Sequence, residues 1–246
     1  MRTPRIYTQL PLRIGLQFGL DREAVRHLVQ VLRMQPGAAV ILFNGDGRDY
    51  AAQLLECTRN TAQVIISGCS DEEPPSVLKI NLGLGLSKGE RMDFALQKSV
   101  ELGVTGFTPL LTEHSVVRLS AKRMDNRLQH WKRISIAACE QSGRRRLPDV
   151  GDILSLSDWL LTSKAMDGIG ILLDHRSDTT LDQLAYTGAS IKLLIGPEGG
   201  LSQEERNRAK TAGFESIRLG PRVLRTETAP LAAISAIQML WGDFRG

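Results

Sequence analysis

The sequence predicts an α/β protein with a mostly parallel sheet, preceded by a small β-rich domain. Beyond residue 75, short apolar runs alternate with helical patterns, whereas the runs before it are short and separated mainly by turns. Between them lies Asp-Glu-Glu-Pro-Pro at 71–75, whose charges and consecutive prolines are typical of a linker. We therefore predict two domains, at 1–72 and 73–246.

Three runs of alternating or apolar residues predict strands in the first domain, at 38–43, 50–55 and 62–67. Turn residues separate them at 44–47 and 59–60. Apolar side chains at helical spacing predict one helix, over about residues 22–34.

In the second domain, strands and helices alternate, which implies parallel strands with helices on both faces of the sheet. The predicted strands are 78–86, 106–111, 169–173, 191–195 and 216–219, and the predicted helices are 89–102, 124–141, 203–212 and 229–241. Ser87 with Glu90, and Ser202 with Glu205, have the spacing of capping boxes at two of the helix starts.

The composition is that of an ordinary soluble globular protein, with 42% hydrophobic and 24% charged residues among 246. No apolar stretch is long enough for a membrane span, and no secretory signal is present, so we expect a cytoplasmic protein. The three cysteines form no Cys-x-x-Cys pair and have no histidine nearby, which predicts reduced thiols and no metal site.

The net charge of +4 and the pI of about 9.1 favour a polyanionic partner. Through residue 72 the chain contains arginine but no lysine, and the arginine fork suits phosphates and base edges. Arg144, Arg145 and Arg146 form a sharper cluster, which we predict to bind phosphate. The alternative for any such run is a solvated face.

Two loops near the carboxyl end carry the most specific signal. Ile-Gly-Pro-Glu-Gly-Gly at 195–200 and the segment 219–229 each follow a predicted buried strand, at the sheet edge where α/β proteins bind ligands. Glu198 stands where a phosphate-binding loop has lysine, so a neutral or cationic ligand is favoured. Gly83 and Gly85 miss the spacing of a dinucleotide fingerprint, and we interpret them as sites of close packing.

Further motifs lie at 27–33, 88–92, 97–104, 114–118 and 140–144. Together with the two loops, they make the chain resemble, over nearly its whole length, the RsmE-type ribosomal RNA uracil-N3 methyltransferases of the SPOUT superfamily. The resemblance implies an amino-terminal PUA-like RNA-binding barrel, a carboxyl-terminal trefoil knot and a homodimer that completes the active site. It also implies small-subunit 16S ribosomal RNA as the substrate and partner.

The same resemblance implies S-adenosylmethionine as the cofactor, bound in the knot by three loops. The residues that map to these loops are Leu172, Leu173, Ile195, Gly196, Pro197, Glu198, Gly199, Gly200, Leu219, Gly220, Val223, Leu224, Thr226 and Thr228. The sulfonium is cationic, and Glu198 is compatible with that charge. Capping of the last helix is the structural alternative for the two threonines, and Thr228 is placed to provide it.

Methylation at N3 of uracil removes an imide proton and leaves negative charge on the flanking carbonyl oxygens. We assign stabilisation of that charge to Arg225, with Arg222 as the second candidate. Glu227 is the candidate base, although a surface or ion-paired glutamate is the commoner outcome for such a residue. His175 follows a predicted strand and is a further candidate near the cofactor.

The candidate RNA-binding residues lie in the remaining motifs and the arginine cluster: His27, Arg33, Lys88, Arg118, Arg144, Arg145 and Arg146. Two other functions stay open at this point. One is methylation of another RNA or another base atom, and the other is a non-catalytic ribosome-assembly factor. A pure binder has no need of a cofactor cleft, which argues against the second.

Overall fold

The structure, a computed structural model, describes residues 3–115, 121–164, 166–186 and 188–245. The chain folds into two units: Met1–Pro75 with Cys139–Leu147, and Ser76–Ala138 with Pro148–Gly246. The segment 139–147 therefore packs with the first unit, which a single boundary between residues 72 and 73 does not anticipate. That boundary remains a prediction about which parts of the chain fold independently.

The first unit is built on a five-stranded sheet with the order β1-β3-β4-β5-β2. Its strands are β1 (Arg5–Tyr7), β2 (Gln17–Gly19), β3 (Ala39–Phe43), β4 (Tyr50–Cys57) and β5 (Ala62–Cys69). β1 and β3 are parallel, and the other pairs are antiparallel. Alternate residues of β4, including Ala52 and Leu54, are buried, because successive side chains of a strand face opposite sides of the sheet.

The predicted helix over residues 22–34 is only partly regular. α1 (Arg22–Val25) is α-helical, with Asp21 accepting a hydrogen bond of 2.8 Å from the backbone N–H of Ala24, and Arg26–Val31 is π-helical. Leu28 is fully buried, and Arg33 is the one non-glycine residue with positive φ, 53°, in the described part of the chain. Periodicity alone does not distinguish a π-turn from an α-turn.

Charged contacts hold the segment 139–147 within the first unit. Asp49 accepts from Arg5 Nη1 at 2.7 Å and from Arg145 Nε at 3.1 Å. Arg146 pairs with Glu72 of the predicted linker, and Glu140 accepts from the Tyr7 N–H at 2.9 Å. The phosphate-binding role predicted for the arginine cluster thus has a structural alternative, because acidic residues of the chain already engage Arg145 and Arg146.

The second unit contains the predicted parallel sheet, in the order β12-β10-β11-β6-β7-β8 with β9 pairing to β7. Its strands are β6 (Lys79–Gly85), β7 (Gly106–Leu111), β8 (Asp149–Val150), β9 (Leu154–Ser155), β10 (Ile169–Leu173), β11 (Ser190–Ile195) and β12 (Phe214–Ile217). The helices are α2 (Glu90–Glu101), α3 (Ala121–Ser142), α4 (Leu156–Lys164), α5 (Gln203–Thr211) and α6 (Thr228–Trp241). Every pairing in this sheet is parallel. Helix α4 was not predicted from the sequence.

The chain doubles back after β12. β12 lies at one edge of the sheet beside β10, yet α6 packs against α2, the helix that follows β6. The fully buried Gln238 of α6 donates from Nε2 to the Leu102 carbonyl at 3.1 Å. The last segment therefore passes the carboxyl ends of β10 and β11, a path that agrees with the knot implied by the resemblance.

One capping prediction is confirmed and one is wrong. Ser202 and Glu205 form a complete capping box at α5. Ser87 does not cap α2, because Gly89, at φ 47°, is the residue before the helix, and the buried Ser87 hydroxyl points to Met92 Sδ instead. Thr228 is the first residue of α6 rather than its cap, and Glu227 precedes the helix without a capping hydrogen bond.

The cysteines are free thiols, as predicted, and burial raises the pKa of Cys139 to about 11. In the described ranges, no helix is both long and apolar enough to cross a membrane.

Candidate functional site

A cavity of about 460 Å³ opens at the carboxyl ends of β10, β11 and β12. The predicted cofactor residues line it with the exception of Gly220 and Thr228. Those that do are Leu172, Leu173, Ile195, Gly196, Pro197, Glu198, Gly199, Gly200, Leu219, Val223, Leu224 and Thr226. The three loops predicted from the sequence therefore converge on one cavity, because parallel strands end at a common edge of the sheet.

Glycine is required where these loops approach their neighbours. A Cβ on Gly85, at the end of β6, would lie 2.4 Å from the Pro197 nitrogen. A Cβ on Gly199 would lie 2.8 Å from Cβ of His114, whose Nδ1 is 3.1 Å from the Gly199 carbonyl oxygen. A Cβ on Gly83 would likewise lie too close to the side chains of Trp159 and Leu110. This confirms that the glycines of β6 serve close packing.

Thr226 joins the last loop to the glycine-rich loop. Its hydroxyl donates to the Gly196 carbonyl at 3.2 Å, and the residue is buried. The hydrogen bond fixes the segment before α6 against the end of β11, so both loops form one wall of the cavity.

Glu198 has fixed partners of its own. Its Oε1 accepts from the Lys88 backbone N–H at 3.2 Å and from Arg91 Nη1 at 3.3 Å. The carboxylate therefore faces the start of α2, and Arg91 balances its charge. Arg91 was not predicted as a partner of Glu198, which was expected to favour a cationic ligand.

Asp174 organises a second charged cluster in the cavity, which the sequence analysis missed. The carboxylate is buried and lies 3.5 Å from Arg176 Nη1 and 3.6 Å from Arg206 Nε. Arg206 comes from α5, far along the chain, so only the fold brings it to Asp174. His175 also lines the cavity, as considered from the sequence.

The proposed catalytic residues share this cavity. Arg222, Arg225 and Glu227 all line it, and both arginines are exposed. Oε2 of Glu227 is buried and has no hydrogen-bond partner among the described residues. A buried carboxylate oxygen without a donor can accept a proton, and guanidinium groups that line the same cavity can stabilise a developing anion.

Those predicted RNA-binding residues that the structure describes do not line the cavity. His27, Arg33 and the arginine cluster belong to the first unit, and Lys88 is exposed just before α2. Arg118 lies outside the described residues. Within the described ranges, no group of three or more His, Cys, Asp or Glu side chains could hold a metal ion.

Two family models match the chain. An RNA methyltransferase domain matches residues 73–238, and an RNA methyltransferase PUA domain matches residues 20–67. The first covers most of the second unit's sequence, including all three cavity loops.

Relatives match along nearly the full length. A ribosomal RNA small subunit methyltransferase E from Buchnera aphidicola is 34% identical over 242 residues, covering 98% of both chains. The protein of that name from Bacillus subtilis is 31% identical, covering 92% of this chain and 93% of its own. The crystal structure of the Neisseria gonorrhoeae protein of that name, bound to S-adenosyl methionine, is 39% identical with a TM-score of 0.90, covering 99% of this chain and 100% of its own.

Proposed function

The chain belongs to the ribosomal RNA small subunit methyltransferase E family, and from this premise we propose that it methylates N3 of one uridine in 16S ribosomal RNA, using S-adenosylmethionine. It is an S-adenosylmethionine-dependent ribosomal RNA methyltransferase with the α/β fold of the SPOUT enzymes. The observation that carries the proposal is the convergence of Arg222, Arg225 and Glu227 on the cavity formed by the three loops.

The cavity fits the cofactor. Its volume of about 460 Å³ is within the usual range for small-molecule sites. Leu173, Leu219 and Leu224 provide an apolar lining, and a Cβ at Gly200 would enter open space beside the loop. When bound, the cofactor supplies an electrophilic methyl group. We propose that the lining residues of the three loops hold it largely through backbone groups.

The chemistry left to the protein is control of the imide proton and its charge. We assign removal of the N3 proton to Glu227, since the buried Oε2 is placed as an acceptor. Arg225 stabilises the negative charge that develops on the uracil oxygens, and Arg222 supports it. A guanidinium at the uracil oxygens stabilises this charge more strongly in the transition state than in the ground state, which is the condition for a rate effect.

The remaining assignments concern partners and location. Residues 1–72 form the RNA-docking domain and 73–246 the catalytic domain, with His27, Arg33, Lys88, Arg118 and 144–146 as candidate RNA contacts. The match to a PUA domain model and the exposure of His27 and Arg33 support the docking role. We further propose a homodimer that acts on the small ribosomal subunit in the cytoplasm, where reduced cysteines are expected.

A transfer assay with the purified protein tests the function. Small subunits and free 16S ribosomal RNA are incubated with methyl-labelled S-adenosylmethionine, and the RNA is digested to nucleosides. We expect label in 3-methyluridine, identified by co-elution with a standard. Label in a different nucleoside would overturn the assigned atom, and absence of label from both substrates would overturn the function.

A further inference from the structure

Arg91 is a cavity residue that none of the catalytic or cofactor assignments uses. It lies in the first turn of α2, lines the cavity, and keeps about half of its side chain exposed, 49%. Its Nη1 contacts Glu198 Oε1 at 3.3 Å. The guanidinium is therefore held at the rim of the cavity, in contact with solvent.

Glu198 has the geometry of a positioning residue for this guanidinium. The same Oε1 accepts from the Lys88 N–H, so one carboxylate fixes both the turn before α2 and the Arg91 side chain. The base of the arrangement is closely packed, because a Cβ on Gly85 would lie 2.4 Å from the Pro197 nitrogen. The contact through Nη1 occupies one of the five N–H donors of the guanidinium.

The charge around the cavity favours an anion at the rim. Among the described residues, six arginines and three carboxylates line the cavity. The arginines are Arg91, Arg176, Arg206, Arg218, Arg222 and Arg225, and the carboxylates are Asp174, Glu198 and Glu227. The lining residues Leu172, Ile195 and Thr226 are buried. A cofactor on that buried floor leaves the exposed guanidiniums to the second substrate.

We propose that Arg91 binds a phosphate of the RNA strand whose base enters the cavity, and that Glu198 positions it. This inference rests on the proposed function. A guanidinium binds phosphate oxygens through paired N–H donors, and its aligned fork loses less entropy when a carboxylate already holds it. Glu198 thereby serves RNA binding rather than selection of the cofactor's charge.

The test measures RNA and cofactor binding separately in the full-length protein. Arg91→Ala should raise KM for 16S ribosomal RNA about tenfold or more, as expected for loss of a charge-assisted hydrogen bond, with an unchanged Kd for S-adenosylmethionine. The slope of log Kd for RNA against log salt should fall by roughly one. Arg91→Lys should keep the salt slope but recover only part of the affinity.

Glu198→Gln tests positioning, because the amide oxygen still accepts from the Lys88 N–H while the charge is lost. We expect a smaller rise in the RNA KM than Arg91→Ala causes. The double variant should have the same KM as Arg91→Ala alone, because Glu198 acts only through Arg91. Matched controls are Arg208→Ala and Glu204→Gln, an exposed ion pair on α5 outside the cavity lining. They should leave both constants unchanged.

The outcomes separate this inference from the function. Weaker S-adenosylmethionine binding by Arg91→Ala with an unchanged RNA KM would overturn it, because Arg91 would then hold the loop or the cofactor carboxylate. Additive effects of Arg91→Ala and Glu198→Gln would overturn the positioning role. An inactive wild-type protein would instead count against the proposed function.

Discussion

Thr226 and Gly196 lie thirty residues apart in the chain and are joined by a hydrogen bond of 3.2 Å from the threonine hydroxyl to the glycine carbonyl. The contact connects the segment carrying Arg222, Arg225 and Glu227 to the glycine-rich loop after β11. The loop proposed to hold the cofactor and the segment with the proposed catalytic groups therefore share one support, and a change at that support should affect both.

Thr226→Val should weaken S-adenosylmethionine binding. Valine keeps the shape of threonine but leaves the Gly196 carbonyl without its donor, which costs about 1 kcal/mol, or about fivefold in Kd. Isothermal titration calorimetry measures the change, and Thr226→Ser, which keeps the hydroxyl, is the control. Equal Kd values for wild type and Thr226→Val would show that the hydrogen bond does not organise the cofactor wall.

Gly85→Ala should destabilise the second unit and reduce cofactor binding. The added methyl would lie 2.4 Å from both the nitrogen and Cδ of Pro197, so backbone must move, at a cost of about 1–3 kcal/mol. Thermal unfolding with and without S-adenosylmethionine reports the effect. Gly19→Ala is the control, because its nearest neighbour is 4.0 Å away. A wild-type Tm and Kd in Gly85→Ala would contradict the close packing of β6 on the glycine-rich loop.

Arg225→Ala should reduce kcat about a hundredfold or more while leaving the S-adenosylmethionine Kd nearly unchanged, as for loss of one oxyanion-type donor. Lysine at this position should restore only part of the rate, because it lacks the planar fork. Single-turnover methyl transfer to small subunits separates chemistry from product release. Normal turnover by Arg225→Ala would remove Arg225 from the catalytic assignment.

Asp49→Asn should destabilise the first unit far more than Glu72→Gln. Asp49 pairs with Arg5, whose side chain is only 6% exposed. Loss of the Asp49 carboxylate therefore leaves the Arg5 charge buried without its partner, at a cost of about 3 kcal/mol. Glu72 is 51% exposed, and its ion pairs are worth less than about 1 kcal/mol. Urea unfolding, monitored by hydrogen exchange in β3–β5, measures the free energy of unfolding of each variant. Similar values would show that Asp49 does not hold the segment 139–147.

Most elements of the second unit could be predicted to within a few residues, because each has a local signal, whereas α4 and the two-residue strands β8 and β9 were not predicted. The bounds of β7 and β10 agree with the predicted 106–111 and 169–173, and Ser202 caps α5 as the capping-box spacing indicates. The convergence of the three loops also followed, since it depends only on parallel strands ending at one edge.

The missed features depend on partners distant in sequence. The pairing of Asp174 with Arg206, and of Glu198 with Arg91, is created by the fold and has no local pattern. The charge of the arginine cluster is visible in the sequence, but its pairing with Glu72 of the predicted linker is not. The π-turns of Arg26–Val31 also escaped prediction, because apolar residues at helical spacing do not distinguish a π-turn from an α-turn.

The most direct test of the central claim is nucleoside mass spectrometry of 16S ribosomal RNA from cells that lack the gene. We predict that 3-methyluridine disappears from one position, returns with the wild-type gene, and stays absent with Arg225→Ala expressed at the same level. Persistence of 3-methyluridine in the deletion strain, or loss of a different modification, would contradict the assignment of this chain to uracil N3.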